Sequence, residues 1–443
     1  MLMSDCVIYL SIPGLRRQDL ASMPQLRALT SGGDIATLVP SFPAVTWTSQ
    51  TAMLTGKLPS ETGVIGNGFF WRDTAKVEMW TAWNDKIQQP QIWDVLHKHD
   101  PQLTSATWFP MLTKGCGADY ICMPAPVHNP DGSESLWCYT KPKEYYGDLR
   151  DALGHFPLMN FWGPMAGIAS TAWIANSAAL AMEKYKPRFF HIYLPQLDYA
   201  AQKLGPDSPA ALQAVIELDN VIGKLATDAA AAYQGHRLLW LVAGEYAITP
   251  VNHVTYPNRL LREAGLLSVT DDGTGEVIAY GETPAWALVD HQFSHVFVKD
   301  ADSANIAKVV DLFKGKPGIA EVLAGDERKK YGMDHERSGE VILISTAESW
   351  QAYYYWLDDA KAPKFARTVD IHRKPGYDPV ELHFDRANKC IPLDATLIGG
   401  SHGAPAVSDA QRTVLLSSQK GVFVERPIAD TDLFELVLNQ FGI

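Results

Sequence analysis

A chain of 443 residues accommodates one large α/β domain with an insertion, or about two to four smaller domains. Hydrophobic residues make up 47% and charged residues 20%, which excludes intrinsic disorder as the overall state. The 38 Lys and Arg against 50 Asp and Glu leave a net charge of −12 with no basic block, which argues against nucleic acid as a partner, because neutralising its phosphates needs clustered cations.

At the N-terminus, Met1-Leu2-Met3-Ser4-Asp5-Cys6 carries no basic segment. The apolar stretch Val7–Leu10 is too short for a signal sequence or a membrane span, so a cytoplasmic protein without membrane contact is expected. Cys6, Cys116, Cys122, Cys138 and Cys390 form no CxxC pair, which argues against a zinc ribbon or a full disulfide framework. The 13 Trp point to a large core.

In chain order, short apolar runs at Cys6–Ile12, Phe189–Leu194, Leu238–Ala243, His295–Val298, Val341–Ser345 and Thr413–Ser417 read as buried strands. Helical patterns lie at Thr48–Leu54, Ser170–Glu183 and Pro209–Tyr233, the last with Leu212, Val215, Ile216, Leu218, Val221, Ile222 and Leu225 near a 3.6 period. Strands alternating with helices predict an α/β fold of three layers, a mainly parallel central sheet with helices on both faces. The stretch from 296 to 346 reads strand, helix (Ser303–Phe313), strand (Ile319–Leu323), strand, a small α+β cap. The expected division is core over 1–255, insertion over 256–385 and core again over 386–443. Asp131-Gly132 and Asp272-Gly273 mark surface turns.

In a parallel sheet the chemistry gathers at the carboxyl ends of the strands. Polar residues follow the predicted strands there: Ser11-Ile12-Pro13-Gly14, Pro195-Gln196-Leu197-Asp198 and Gly244-Glu245-Tyr246, and near the C-terminus comes Gly399-Gly400-Ser401-His402-Gly403. Phe42-Pro43-Ala44-Val45-Thr46 leads into a helix, and Gly63-Val64-Ile65-Gly66-Asn67 follows. A Thr at a helix start offers its hydroxyl where backbone N–H groups favour an anion, which suits attack on phosphorus. Asn67 would donate its amide to a phosphoryl oxygen. On local pattern alone, a plain N-cap at Thr46 and a turn residue at Asn67 is the stronger reading.

The order of these motifs resembles the alkaline phosphatase superfamily, in its nucleotide pyrophosphatase/phosphodiesterase branch. The resemblance rests on Phe42-Pro43, Thr46, Thr55-Gly56, Pro59, Gly63-Val64-Ile65-Gly66-Asn67, Leu194–Asp198, Gly205-Pro206-Asp207 and Ser401-His402-Gly403. It implies a hydrolase of phosphate diesters or pyrophosphates acting on a nucleotide-like or small phosphorylated metabolite. Thr46 is then the nucleophile, Asn67 an oxyanion donor and Glu245 a base or ligand. The resemblance also implies two divalent metals, usually zinc. Asp198 and His402 match its metal-ligand positions, and Glu245 is a conservative replacement. Pro13 stands where the first-strand Asp ligand belongs, Gln202 where a His belongs, and Tyr246 where another belongs, so the expected content falls to two ions, one or none. His291 is the further ligand candidate from the pair His291 and His295. Tyr246 and Gln202 become candidate substrate contacts, with His372 and Arg373 in the loop Asp370–Tyr377. Arg337 reads as a salt-bridge residue, and Tyr353-Tyr354-Tyr355-Trp356 as core that could also stack a flat group. The other expectation is a metal-free relative that binds a ligand, serves as a scaffold, or runs a transferase or non-phosphate hydrolase reaction.

Overall fold

Seven consecutive residues with no exposed side chain, Cys6–Ile12, form a strand covered on both faces. The structure, a computed structural model, describes residues 4–128 and 134–443, so the Asp131-Gly132 turn lies outside the described residues. Cys6–Ile12 pairs in parallel with Phe189–Tyr193 on one side and Leu238–Gly244 on the other. The nine-stranded sheet runs Ile428–Ala429, Ile35–Val39, Thr413–Ser417, Leu238–Gly244, Cys6–Ile12, Phe189–Tyr193, Ser105–Trp108, Tyr120–Pro124, Cys138–Lys141. Thr413–Ser417 is antiparallel to both of its neighbours, and Cys138–Lys141 is antiparallel to Tyr120–Pro124. The other neighbouring pairs are parallel.

Alternation along the strands separates two cores. Ile8 and Leu10 pack with Ile174, Leu218 and Ile222, beneath the helices Ile168–Tyr185 and Pro209–Ala232. Val7 and Tyr9 face the other way, onto Met53, Leu54, Trp93 and Val437. The three layers follow, and the fold is the expected α/β class.

A second, antiparallel sheet of four strands runs in the order Ala285–Asp290, Phe293–Val298, Val341–Ser345, Ile319–Ala324, with the helix Ser303–Phe313 beside it. Its core takes in Phe42, Val45, Trp47 and Ile65, so this sheet sits over the segment that leads into Thr46. Tyr353, Tyr354, Tyr355 and Trp356 are at most 1% exposed and belong to this core. Arg337 donates to the carbonyls of Gly63 and Lys86 rather than to a carboxylate. Among the described residues no helix is long and apolar enough to cross a membrane. All five cysteines are free thiols.

Candidate active site

Three adjacent parallel strands bring Pro13, Asp198 and Glu245-Tyr246 to one edge, because each of these follows a carboxyl end. Asp198 lies in the first turn of the helix Gln196–Leu204, not in a loop. Thr46 comes to the same edge as the first residue of the helix Thr46–Thr55, two residues earlier than the pattern predicts. Val45 is the N-cap and offers no side-chain cap, so the Thr46 hydroxyl is left for other partners. Asn67 caps this helix from a distance: its Oδ1 accepts from the Trp47 N–H at 3.0 Å. Its amide Nδ2 donates to Asp290 Oδ1 at 3.1 Å, and its backbone N–H to Asp290 Oδ2 at 2.8 Å.

Thr46 Oγ1 lies 3.1 Å from the Tyr246 hydroxyl, which lies 3.3 Å from Asp198 Oδ1. The Tyr246 ring stacks on His402 with centroids 3.7 Å apart. His402 Nδ1 donates to the Ala44 carbonyl at 2.7 Å, so its Nε2 carries the lone pair. That Nε2 is 3.9 Å from Asp198 Oδ1 and has no hydrogen-bond partner among the described residues. His291 lies against His402 with ring centroids 3.8 Å apart and the planes tilted by 43°, it stacks on Tyr377 at 3.7 Å, and its Nδ1 lies 2.5 Å from Asp290 Oδ1. It occupies the turn between Ala285–Asp290 and Phe293–Val298 with φ of +58°, a conformation uncommon for a residue with a Cβ.

Burial sets the titration of these groups. It pushes the Asp198 carboxyl up to about 7 against the pull of the Gln202 amide and the Tyr246 hydroxyl, and Glu245 up to about 8 despite bonds from Ser11 and Gln50. Asp290 is raised to about 6 by burial, partly offset by the Asn67 N–H. Burial holds His291 and His402 well below the usual imidazole range, so both are neutral.

A cavity opens above Thr46, Asp198 and His291. Its walls are Trp80, Met111, Phe161, Trp162, Tyr193, Tyr199, Ile371 and Tyr377, and no Lys or Arg among the described residues lines it. These walls escape sequence reasoning, since they come from segments without a shared motif. The other sequence candidates stand back from the cavity. Glu245 Oε1 accepts from Ser11 at 2.5 Å and Gln50 at 2.9 Å. Gln202 Oε1 accepts from the Tyr377 hydroxyl at 2.8 Å. His372 Nδ1 donates to the Met79 carbonyl at 3.0 Å, and the exposed Arg373 pairs with Asp370. His295 is a satisfied core residue between the Ile65 carbonyl and the Gly339 N–H.

The model of the type I phosphodiesterase/nucleotide pyrophosphatase family matches residues 7–378. The chain belongs to this family. It is therefore a phosphodiesterase/pyrophosphatase-like hydrolase of the alkaline phosphatase superfamily. No curated protein matches the sequence. Among solved structures, phosphonoacetate hydrolase from Sinorhizobium meliloti 1021, in complex with phosphonoformate, is similar with a TM-score of 0.65 at 15% identity, over 99% of this chain and 96% of that one. Murine ectonucleotide pyrophosphatase/phosphodiesterase 5 is similar with a TM-score of 0.63 at 13% identity, over 99% of this chain and 95% of that one. An inactive threonine-to-alanine variant of the murine protein, in complex with AMP, gives 0.62 at 13% identity, over 99% of this chain and 95% of that one. At such identity these likenesses show the shared fold.

The type I phosphodiesterase pattern of metal ligands does not fit the residues present. Pro13 has no donor, Gln202 Oε1 is taken by Tyr377, and Glu245 keeps only Oε2 free among the described residues, since its Oε1 holds two hydrogen bonds. Catalytic zinc takes about three protein ligands. Among the described residues no three His, Cys, Asp or Glu side chains are grouped to hold an ion.

Proposed function

We propose that the protein hydrolyses a small phosphodiester or pyrophosphate-linked metabolite with Thr46 as nucleophile. The observation that supports this most is the Thr46 hydroxyl itself. It stands at the first residue of a buried helix and opens, with Asp198, onto an aromatic cavity in a member of a phosphodiesterase family. In the reaction the Thr46 oxygen forms a bond to phosphorus as the bond to the leaving oxygen breaks, and the Thr46 proton passes to the departing oxygen. Water then cleaves the resulting phosphothreonine or nucleotidyl-threonine. Asn67 acts from behind, fixing the start of the helix and, through Asp290, the His291 turn.

Charge favours a diester over a monoester. With Asp198 on the wall and no Lys or Arg beside it, each anionic charge brought in is poorly compensated, and a diester carries one where a monoester near neutral pH carries up to two. The aromatic walls suit a flat or apolar substituent. The two similar proteins hold small phosphorus-containing anions, phosphonoformate and AMP, and the uncharged aromatic walls here set this cavity apart by favouring the singly charged diester. The same lack of cations favours a second reading, ligand binding without turnover.

The test is steady-state hydrolysis of bis(p-nitrophenyl) phosphate and p-nitrophenyl phosphate. The diester should be the better substrate, and Thr46→Ala should lower kcat by roughly a thousandfold or more, as loss of a nucleophile does. Binding of the diester without turnover supports the second reading. Full turnover by Thr46→Ala overturns the nucleophile.

A further inference from the structure

Tyr246 holds the place between the three residues that match the family's pattern. Its side chain has no exposed surface. The ring covers a face of His402 with the planes 5° from parallel, and the hydroxyl reaches Thr46 Oγ1 and Asp198 Oδ1. A divalent ion shared by Thr46, Asp198 and His402 would need space that the phenol fills. The remaining positions agree with that substitution, since Pro13 withdraws a donor and Gln202 turns its oxygen to Tyr377. Sequence changes at separate points of the chain thus remove ligands together and supply one hydroxyl in their stead.

We propose that Tyr246 takes over the positioning work of the metal: its hydroxyl, donating to Asp198, accepts from the Thr46 hydroxyl and holds that oxygen toward the cavity, and the centre turns over without a divalent ion. This rests on Thr46 as the nucleophile. Tyr246 acts through Thr46, so it is a positioning residue. One oriented hydrogen bond replaces a coordinate bond, and the hydroxyl can be removed while the ring stays on His402.

The experiment measures metal content and kinetics on the full chain. Purified protein dialysed against zinc and then against buffer should hold far less than one zinc per chain by mass spectrometry of the elements. Turnover of bis(p-nitrophenyl) phosphate should be unchanged by EDTA or 1,10-phenanthroline. Tyr246→Phe should lower kcat about tenfold, the loss of one well-placed hydrogen bond, with KM within about twofold and an unchanged melting temperature. The combined variant Pro13→Asp, Gln202→His, Glu245→Asp, Tyr246→His should gain zinc binding by calorimetry. Stoichiometric zinc in the wild type, loss of turnover on chelation, or an unchanged kcat in Tyr246→Phe overturns the proposal. The metal measurement needs no folded combined variant. It is also independent of the nucleophile, whose failure shows instead as turnover by Thr46→Ala.

Discussion

The imidazole of His402 lies flat on the phenol of Tyr246, 3.7 Å between centroids, while its Nδ1 is bonded to the Ala44 carbonyl two residues before Thr46. The C-terminal segment thereby fixes both the nucleophile's loop and the residue that touches its hydroxyl. His402→Ala leaves the Ala44 carbonyl unpaired and a void beside the ring. A loss of about 2–4 kcal/mol is expected in urea unfolding, with activity reduced in the folded fraction.

The next residue has no room for a side chain. Gly403 has φ of +109°, and a Cβ there would meet Gln292 N at 3.2 Å and His291 Cβ at 3.3 Å. The adjoining backbone bond, Gln292 N–H to the His402 carbonyl, is 2.9 Å. Gly403→Ala should therefore displace the His291 turn, lowering kcat/KM by about tenfold or more at a stability cost of about 1–3 kcal/mol. A control at the exposed turn glycine Gly273, which has nothing within 4 Å of a Cβ although its φ is +87°, should leave kcat/KM unchanged.

Asp290 accepts from both Asn67 nitrogens and pairs with His291. Asp290→Asn turns one acceptor into a donor facing donors. Turnover should fall by at least about tenfold, and unfolding free energy by about 2–3 kcal/mol, read by steady-state assay and urea titration.

Four buried carboxyls are raised by burial: Glu245 to about 8, Asp198 to about 7, Asp290 and Asp430 to about 6. Between the unfolded values of about 4 and these folded ones, the folded chain binds more protons than the unfolded chain. Their contribution is thus complete below about pH 4 and is lost as pH rises toward 8, by up to about 1.4 kcal/mol per pH unit for each carboxyl still protonated. The melting temperature should decline from pH 5 to pH 8.5. Glu245→Gln should flatten the decline between pH 6 and 8, and an equal slope in that variant contradicts the assignment.

Much of the fold is legible because parallel strands buried on both faces are written as unbroken apolar runs, as at Cys6–Ile12 and Leu238–Gly244. Ile35–Val39 alternates half-buried and buried residues, and Cys138–Lys141 lies at the sheet edge, so neither forms such a run. Thr46, Asp198 and Tyr246 stand out in the sequence because each follows a strand or opens a helix at one edge of the central sheet, whereas His402 follows the short strand Gly400–Ser401, which pairs with Thr249–Pro250 outside that sheet. The partners of Asn67 are not, since Asp290 is 223 residues away and reaches it only once the second sheet has packed. The cavity walls are equally hidden: Trp80, Trp162 and Tyr377 meet only in the folded chain.

Covalent trapping tests the central claim most directly. Enzyme mixed with excess phosphodiester, quenched in acid within the first turnovers and digested, should yield one modified peptide, with the phosphoryl or nucleotidyl group on Thr46 and none in Thr46→Ala. A modified Tyr246 or His291, or rapid product formation with Thr46 unmodified throughout, would contradict the account.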